Sequence, residues 1–178
     1  MEFGNWSQRM GRPIANEGFL KALLTHGTYD AYQFFCPDVH HLRRFQERLE
    51  TLVPSRELRS RVEVSLHVSL AEALETGHYH VFHQGDFTYF MPHLIALRNR
   101  RARAPFPVTG LTHSLEGVFM NQRYVELLLA RPAPWDGVVC TSRCAQEAVR
   151  KGLEGVRQRI LNATGADLGS PLKVSLIP

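Results

Sequence analysis

Several familiar signatures of nucleotide and hydrolase chemistry are missing from this chain of 178 residues. Neither Gly-x-Gly-x-x-Gly nor Gly-x-x-x-x-Gly-Lys-Ser/Thr occurs, so the dinucleotide-binding fingerprint and the P-loop are both absent. No Gly-x-Ser-x-Gly occurs either, and that pattern forms the strained turn on which an α/β-hydrolase presents its nucleophile. These absences argue against classical dehydrogenase, NTPase and serine hydrolase functions.

Cysteines and long apolar runs are also scarce. The three cysteines, Cys36, Cys140 and Cys144, are an odd number in a chain of this length, which argues against a secreted disulfide framework. No window approaches the roughly 20 continuous apolar residues of a membrane span, and the N-terminus has no signal-peptide pattern. We therefore expect a cytoplasmic protein in which Cys36 and Cys140 lie buried in apolar strands.

Charge gives only a weak indication of a partner. The chain carries 21 Lys and Arg against 17 Asp and Glu, a net charge of +4 that favours an anionic ligand. Basic residues concentrate at the end of a predicted helix, Phe90 to Arg101, where they complement the helix dipole and usually form a solvated face. We expect no nucleic-acid partner, and peripheral membrane contact of this cluster stays open. The cluster comprises Arg98, Arg100, Arg101 and Arg103.

Strand-like and helix-like patterns alternate along the chain, which is typical of an α/β domain. Such alternation predicts right-handed crossovers and a mainly parallel sheet covered on both faces. We expect residues 1–178 to form one Rossmann-like, three-layer αβα sandwich with about seven strands. The predicted strands are Phe3–Trp6, Tyr29–Cys36, Arg61–Leu66, His78–Gln84, the start of Pro105–Glu116, Trp135–Ser142 and Leu172–Pro178.

Helix boundaries are marked by capping residues. Asp38 is a candidate N-cap for a helix that carries Leu42, Phe45 and Leu49 and stops before Pro54. The first helix is expected to end at Gly27, with that glycine in the left-handed conformation.

The stretch Pro105–Glu116 gives the clearest indication of function. It begins as an apolar, β-favouring run and ends in His113, Ser114 and Glu116, as a buried strand does when it delivers side chains to a crevice. In open α/β sheets, ligands bind beyond the carboxyl ends of the strands. The alternative is that His113 and Ser114 only cap the next segment.

Polar residues follow other predicted strands in the same way. Gly11 and Arg12 follow the first strand, Asp86 follows the fourth, and Ser142 and Arg143 follow the sixth. Because the carboxyl ends of parallel strands share one edge, we expect these residues to converge with His113. The alternative is that Asp86 and Ser142 are helix caps and Arg12 is solvated.

A metal site is not predicted. On a strand His78 and His80 would share one face while His83 points to the other, so the three histidines do not converge. Cys140 and Cys144 lack the spacing of a zinc ribbon. We expect neither a metal nor another cofactor.

Five segments of the chain, taken in order, form a larger pattern: Gly11–Pro13, Val81–His83, Pro107–Ser114, Asp136–Ser142 and Leu172–Pro178. Together they resemble the N-terminal domain of GT-B glycosyltransferases of the glycogen-synthase-like group, over nearly the whole chain. The resemblance implies a retaining enzyme that moves a sugar from a nucleotide diphosphate sugar to an acceptor. In that family the transfer takes place in a cleft between two Rossmann-like domains.

The resemblance also implies roles for individual residues. In such enzymes a glycine loop after the first strand approaches the donor phosphates, and a histidine after the fifth strand lies near the transferred sugar. The implied catalytic residue is His113, the donor-binding residues are Gly11, Arg12 and Ser114, and the acceptor-binding residues are Asp86, Glu116 and Arg143.

One departure from the family bears on activity. The family's C-terminal domain binds the nucleotide and carries two glutamates with seven residues between them, and no two glutamates here have that spacing. The last residues also look like a strand inside a larger protein. We therefore expect an acceptor-side N-terminal half that has little activity without its C-terminal domain. The alternative is a non-catalytic Rossmann-like module that binds an anionic small molecule or a protein partner.

Overall fold

A computed structural model describes residues 12–53, 55–115, 117, 119–169 and 171–177. This part of the chain has an α/β fold, and its strands pair in parallel. The chain divides into two compact units, Met1–Ala73 and Leu74–Pro178. The predicted α/β class with a parallel arrangement of strands is confirmed.

The first unit contains a two-stranded sheet, in which Tyr32 lies opposite Val62 and Cys36 lies opposite Leu66. A 3₁₀ turn at His67–Ser69 leads into the helix within which the boundary of the two units falls. The elements are α1 (Arg12–His26), β1 (Tyr32–Cys36), α2 (Val39–Leu52), α3 (Arg56–Ser60), β2 (Val62–Leu66) and α4 (Leu70–Thr76).

Helix α2 follows the predicted pattern closely. Asp38 caps its start by accepting a hydrogen bond from the backbone N–H of His41 at 2.8 Å. Phe45 and Leu49, four residues apart and so on one helix face, are buried. They pack with α1 and β1 in one apolar core, whose buried members are Leu20, Leu24, Tyr32, Cys36, Phe45, Leu49 and Val53.

Gly27 ends α1 for a different reason from the predicted one. The described glycines with positive φ are Gly117 and Gly165, so the left-handed conformation expected at Gly27 is wrong. A Cβ at Gly27 would lie 2.3 Å from the Tyr32 hydroxyl oxygen and 2.4 Å from the Leu23 carbonyl oxygen. Glycine is therefore needed because Tyr32 packs directly against the backbone.

The second unit contains a four-stranded parallel sheet, whose strands lie side by side in the order in which they follow along the chain. Each neighbouring pair of strands is joined by one long helix, as the predicted βα units require. The elements are β3 (Phe82–Gln84), α5 (Met91–Arg101), β4 (Val108–Leu111), α6 (Met120–Leu129), β5 (Gly137–Cys140), α7 (Arg143–Thr164) and β6 (Lys173–Leu176).

The core of this unit lies between the sheet and its helices. Buried side chains of the strands include Val108, Val138 and Cys140, whose thiol was expected to be buried. Fully buried residues of the helices include Ile95 of α5 and Leu127 of α6. Burial of aliphatic side chains of this kind contributes about 1.5–3 kcal/mol each.

A buried ion pair links the amino ends of β4 and β5 to the end of α5. The guanidinium of Arg98 donates to both carboxylate oxygens of Asp136, and both side chains are almost completely buried. Asp136 also accepts from the backbone N–H groups of Val108 at 2.8 Å and Ala133 at 2.7 Å. The same guanidinium donates to the Phe106 carbonyl oxygen at 2.7 Å. The charges are therefore compensated by hydrogen bonds throughout.

This ion pair corrects the interpretation of the basic cluster at the end of α5. Arg98 is not part of a solvated face, because its charge is paired inside the protein. Arg101 forms an exposed ion pair with Glu75 at 2.5 Å, and Arg100 and Arg103 are exposed. Membrane contact by the remaining arginines stays a prediction.

The single sheet of about seven strands is not what the described residues form. They contain six strands, all of which were predicted, in separate sheets of two and four. The seventh predicted strand, Phe3–Trp6, lies outside the described residues. The short helix α3 was not predicted, because its five residues are too few to show a helical period, although Ser55 does cap it.

Replacing Asp136 with alanine should destabilise the protein by about 3–5 kcal/mol, because it leaves the buried Arg98 cation without its partner. Glu75→Ala removes an exposed arginine pair and should cost less than about 1 kcal/mol. Urea denaturation followed by circular dichroism measures both. Equal losses in the two variants would contradict the importance of the buried pair.

Candidate functional site at the carboxyl edge of the four-stranded sheet

Three loops follow β3, β4 and β5 at the carboxyl edge of the four-stranded sheet. Together these loops form what we call the carboxyl-edge site, which comprises Gly85–Thr88, Thr112–Ser114 and Thr141–Arg143. The three strands are neighbours and run in parallel, so the loops begin side by side. Asp86, His113 and Arg143 therefore follow neighbouring strands at one edge of this sheet, and their convergence with Gly11 and Arg12 in one site stays a prediction.

Backbone hydrogen bonds tie the first two loops to the adjacent strands. The Phe87 N–H donates to the Leu111 carbonyl at 3.0 Å, and the Thr112 N–H donates to the Val139 carbonyl at 2.9 Å. The loop after β3 also crosses close over β4, since a Cβ at Gly110 would lie 2.7 Å from the Phe87 Cβ. A larger residue at position 110 would force this loop away.

His113 lies just beyond the end of β4, as predicted, and is half-buried. Its Nε2 is 2.6 Å from the Gly85 carbonyl oxygen. Because a carbonyl oxygen only accepts, Nε2 carries the proton of this hydrogen bond. The bond fixes the imidazole between the loops after β3 and β4. Helix α6 begins at Met120 without a side-chain cap, so neither His113 nor Ser114 caps it.

Asp86 is buried and takes part in the structure of its own loop. Its Oδ1 accepts from the Thr88 backbone N–H at 2.9 Å and from the Thr88 hydroxyl at 2.6 Å. These bonds form a short turn after β3 and are not a helix cap, since α5 begins later, at Met91. Contact of Asp86 with an acceptor stays a prediction.

The third loop contains a helix cap and an exposed arginine. The Ser142 hydroxyl oxygen accepts from the Ala145 N–H at 3.1 Å, so the capping interpretation of Ser142 is confirmed. Arg143 is the first residue of α7 and is exposed, as is Ser114 in the neighbouring loop.

The remaining predicted site residues cannot be placed in this way. Gly11 and Glu116 lie outside the described residues. Arg12 is the first residue of α1 in the first unit, and its side chain is outside them too. Their donor and acceptor roles stay predictions.

His83 contributes a partly buried polar pair that was not predicted. Its Nδ1 is 2.8 Å from the Thr109 hydroxyl oxygen, directly across from it on β4. Burial lowers the pKa of His83 from 6.5 to about 4, so the imidazole is neutral at physiological pH. In the sequence, His83 stood out as one of three clustered histidines and as the end of the segment Val81–His83, and neither pattern indicated its contact with Thr109. Within the described residues no group of three or more His, Cys, Asp or Glu side chains could hold a metal ion.

Exposed aromatic side chains next to the site were also missed. Tyr89 and Phe90 stand directly before α5, and Phe119 stands directly before α6. All three are about half exposed or more. An aromatic pair in a loop and an aromatic residue at a helix start were visible in the sequence, but their exposure was not.

Comparison with protein-family models, with curated proteins and with solved structures finds no match to this chain. Among the described helices, none has the length and apolar character to cross a membrane. The site must therefore be interpreted from its own geometry and from the sequence pattern.

The protein should lose stability in acid because of His83. Its pKa lies near 6.5 in the unfolded chain and about 4 in the folded one, so between these values the unfolded state binds more protons. Stability should fall by up to about 3 kcal/mol as pH drops from 7 to 4. His83→Gln, which does not titrate, should show a shallower dependence in urea denaturation over this range. Parallel pH profiles for the two proteins would contradict the assignment.

Proposed function

We propose that this chain is the acceptor-side domain of a retaining GT-B glycosyltransferase, which transfers a sugar from a nucleotide diphosphate sugar. The observation that supports this most is the position of His113, fixed at the carboxyl end of β4 by the Gly85 carbonyl. Ligands of open α/β sheets bind at such edges. A histidine after this strand is also what the sequence resemblance implies for the transferred sugar.

The proposed reaction exchanges one bond at the anomeric carbon. The bond from that carbon to the donor phosphate oxygen breaks, and the nucleoside diphosphate leaves with both bonding electrons. The acceptor hydroxyl oxygen forms the new bond on the same face of the sugar, and its proton passes to the leaving diphosphate. His113 would hydrogen-bond a sugar hydroxyl and so orient the anomeric carbon for attack.

Other residues would act around this centre. Arg143 is exposed at the same edge, and Ser114 is exposed one residue beyond His113, so both side chains are accessible to a ligand. Asp86 would act mainly by holding the loop that contains Gly85, because its Oδ1 is bonded to Thr88. Positive charge and hydroxyl donors at this edge suit a phosphate-bearing donor.

The proposal also covers the type of fold and a second domain. It assigns a Rossmann-like fold, to which the described residues contribute parallel sheets of two and four strands. The nucleotide-binding domain and its two glutamates would belong to a part of the protein outside these 178 residues, since no glutamate pair here has the family spacing.

His113→Ala in the full-length protein should lower kcat/KM for sugar transfer at least 100-fold. His113→Gln restores a side-chain N–H donor for the Gly85 carbonyl but lacks the imidazole, so it should keep the Tm and still lose activity. Release of nucleoside diphosphate from a panel of uridine, guanosine and adenosine diphosphate sugars provides the assay. His78→Ala, which removes an exposed histidine of the same unit, is the matched control and should remain active.

Two results would count against this function. Full activity of both His113 variants would show that His113 has no role in sugar transfer. Binding of a nucleotide sugar without any turnover in the full-length protein would favour a non-catalytic binding module instead.

A further inference from the structure

The exposed aromatic residues of the second unit are distributed unevenly. Tyr89, Phe90, Phe119 and Trp135 are the exposed aromatic side chains among the described residues, with 47, 52, 66 and 47% of their surface accessible. Trp135 lies before β5, at the amino edge. The other three precede α5 and α6, which start at the carboxyl edge. We call Tyr89, Phe90 and Phe119 the aromatic rim.

Packing beneath the surface fixes the segments that carry the rim. The buried ring of Phe87 stacks on Tyr124 of α6, with centroids 6.5 Å apart and planes 27° apart. Tyr124 is five residues beyond Phe119, which is about 8 Å along a helix at about 1.5 Å per residue. Phe90 is three residues beyond Phe87. Both sides of the rim are thus anchored to one buried aromatic pair.

The rim adjoins His113 through the same loop. Gly85, whose carbonyl accepts from His113, lies two residues before Phe87, and the Phe87 N–H bonds to Leu111 at the end of β4. Tyr89 and Phe90 therefore follow within five residues of the carbonyl group that binds His113. Single exposed apolar residues are common, but three large exposed aromatic residues at the sheet edge that also carries His113 are typical of a binding surface.

The charges near the rim favour a neutral ligand over a membrane surface. Membrane-binding surfaces place unpaired cations beside their aromatic residues. Here Arg123 of α6 is paired with Glu126 at 2.7 Å, and the arginines of α5 lie at the opposite end of that helix. The exposed cation of the carboxyl-edge site, Arg143, follows β5 and not β3 or β4. In the two loops after β3 and β4 the polar side chains are hydroxyls, an imidazole and the buried Asp86, and groups of this kind bind neutral hydroxyl-bearing molecules.

We infer that the acceptor of the proposed transfer is a neutral molecule with an apolar ring beside its receiving hydroxyl, and that this ring packs on the aromatic rim. The inference rests on the proposed function, because only that function makes the ring-bearing molecule a sugar acceptor. The packing of the ring is a separate property, because it depends on Tyr89, Phe90 and Phe119 and not on the donor. Aromatic side chains give such contacts a preference for flat rings.

The experiment compares phenyl glycosides of glucose, galactose and mannose with the free sugars, using ligand-observed NMR on the full-length protein. At least one phenyl glycoside should bind about tenfold more tightly than its parent sugar. Phe119→Ala should abolish that difference, and Phe119→Trp should retain it. Leu129→Ala is the matched control, since Leu129 is 60% exposed at the other end of α6. Helix α6 has no side-chain cap at Phe119, so the alanine variant should fold.

The outcomes separate this inference from the proposed function. The full-length protein could prefer phenyl glycosides in a way that depends on Phe119 and yet turn over no nucleotide sugar. That result would support ring binding by the aromatic rim and overturn the transferase function. Turnover in which Phe119→Ala leaves the KM of free and phenyl-substituted acceptors unchanged would overturn the rim alone. Loss of binding to phosphatidylglycerol vesicles in Phe119→Ala, with glycoside binding unaffected, would also overturn it in favour of a membrane.

Discussion

The four-stranded sheet depends on one buried ion pair at its amino edge. Arg98 reaches from the end of α5 to Asp136, and Asp136 in turn binds the backbone at the start of β4. A buried charge without its partner is strongly unfavourable, so these elements can hardly move apart. The ion pair therefore fixes the relative positions of β4 and β5 at the amino edge of the sheet. Because the two strands are paired along their length, they are aligned at the carboxyl edge as well.

At the carboxyl edge, the aligned strands hold the loops that form the carboxyl-edge site. Loops that would otherwise be free to vary are held in register by backbone bonds from Phe87 and Thr112, and His113 is bonded to Gly85 across two loops. Gly110 lets the first loop cross close to β4. A histidine on such a support has a defined position and orientation, which is what binding and catalysis require of it.

Much of the fold could be predicted from sequence because its signals are local. Alternation of apolar strands and capped helices gave the six described strands, and Asp38 and Ser142 cap helices as expected. The contacts of Arg98 could not be predicted in this way, since its partner Asp136 is 38 residues away and a basic cluster normally predicts a solvated surface. Gly27 was expected to be left-handed because a glycine after a helix commonly adopts that conformation, whereas the structure needs glycine there because Tyr32, only five residues further on, packs against its backbone.

The position of His113 at the edge was predictable from the strand pattern, whereas its bond to Gly85 and the exposed aromatic rim were not. The central claim is that His113 contacts the sugar of a bound nucleotide sugar. Imidazole NMR signals of the full-length protein, followed during titration with nucleotide sugars, test it directly. The account predicts a saturable shift of the His113 signals while those of the exposed His78 stay unchanged. Saturable binding seen at other residues, with the His113 signals unmoved, would contradict it.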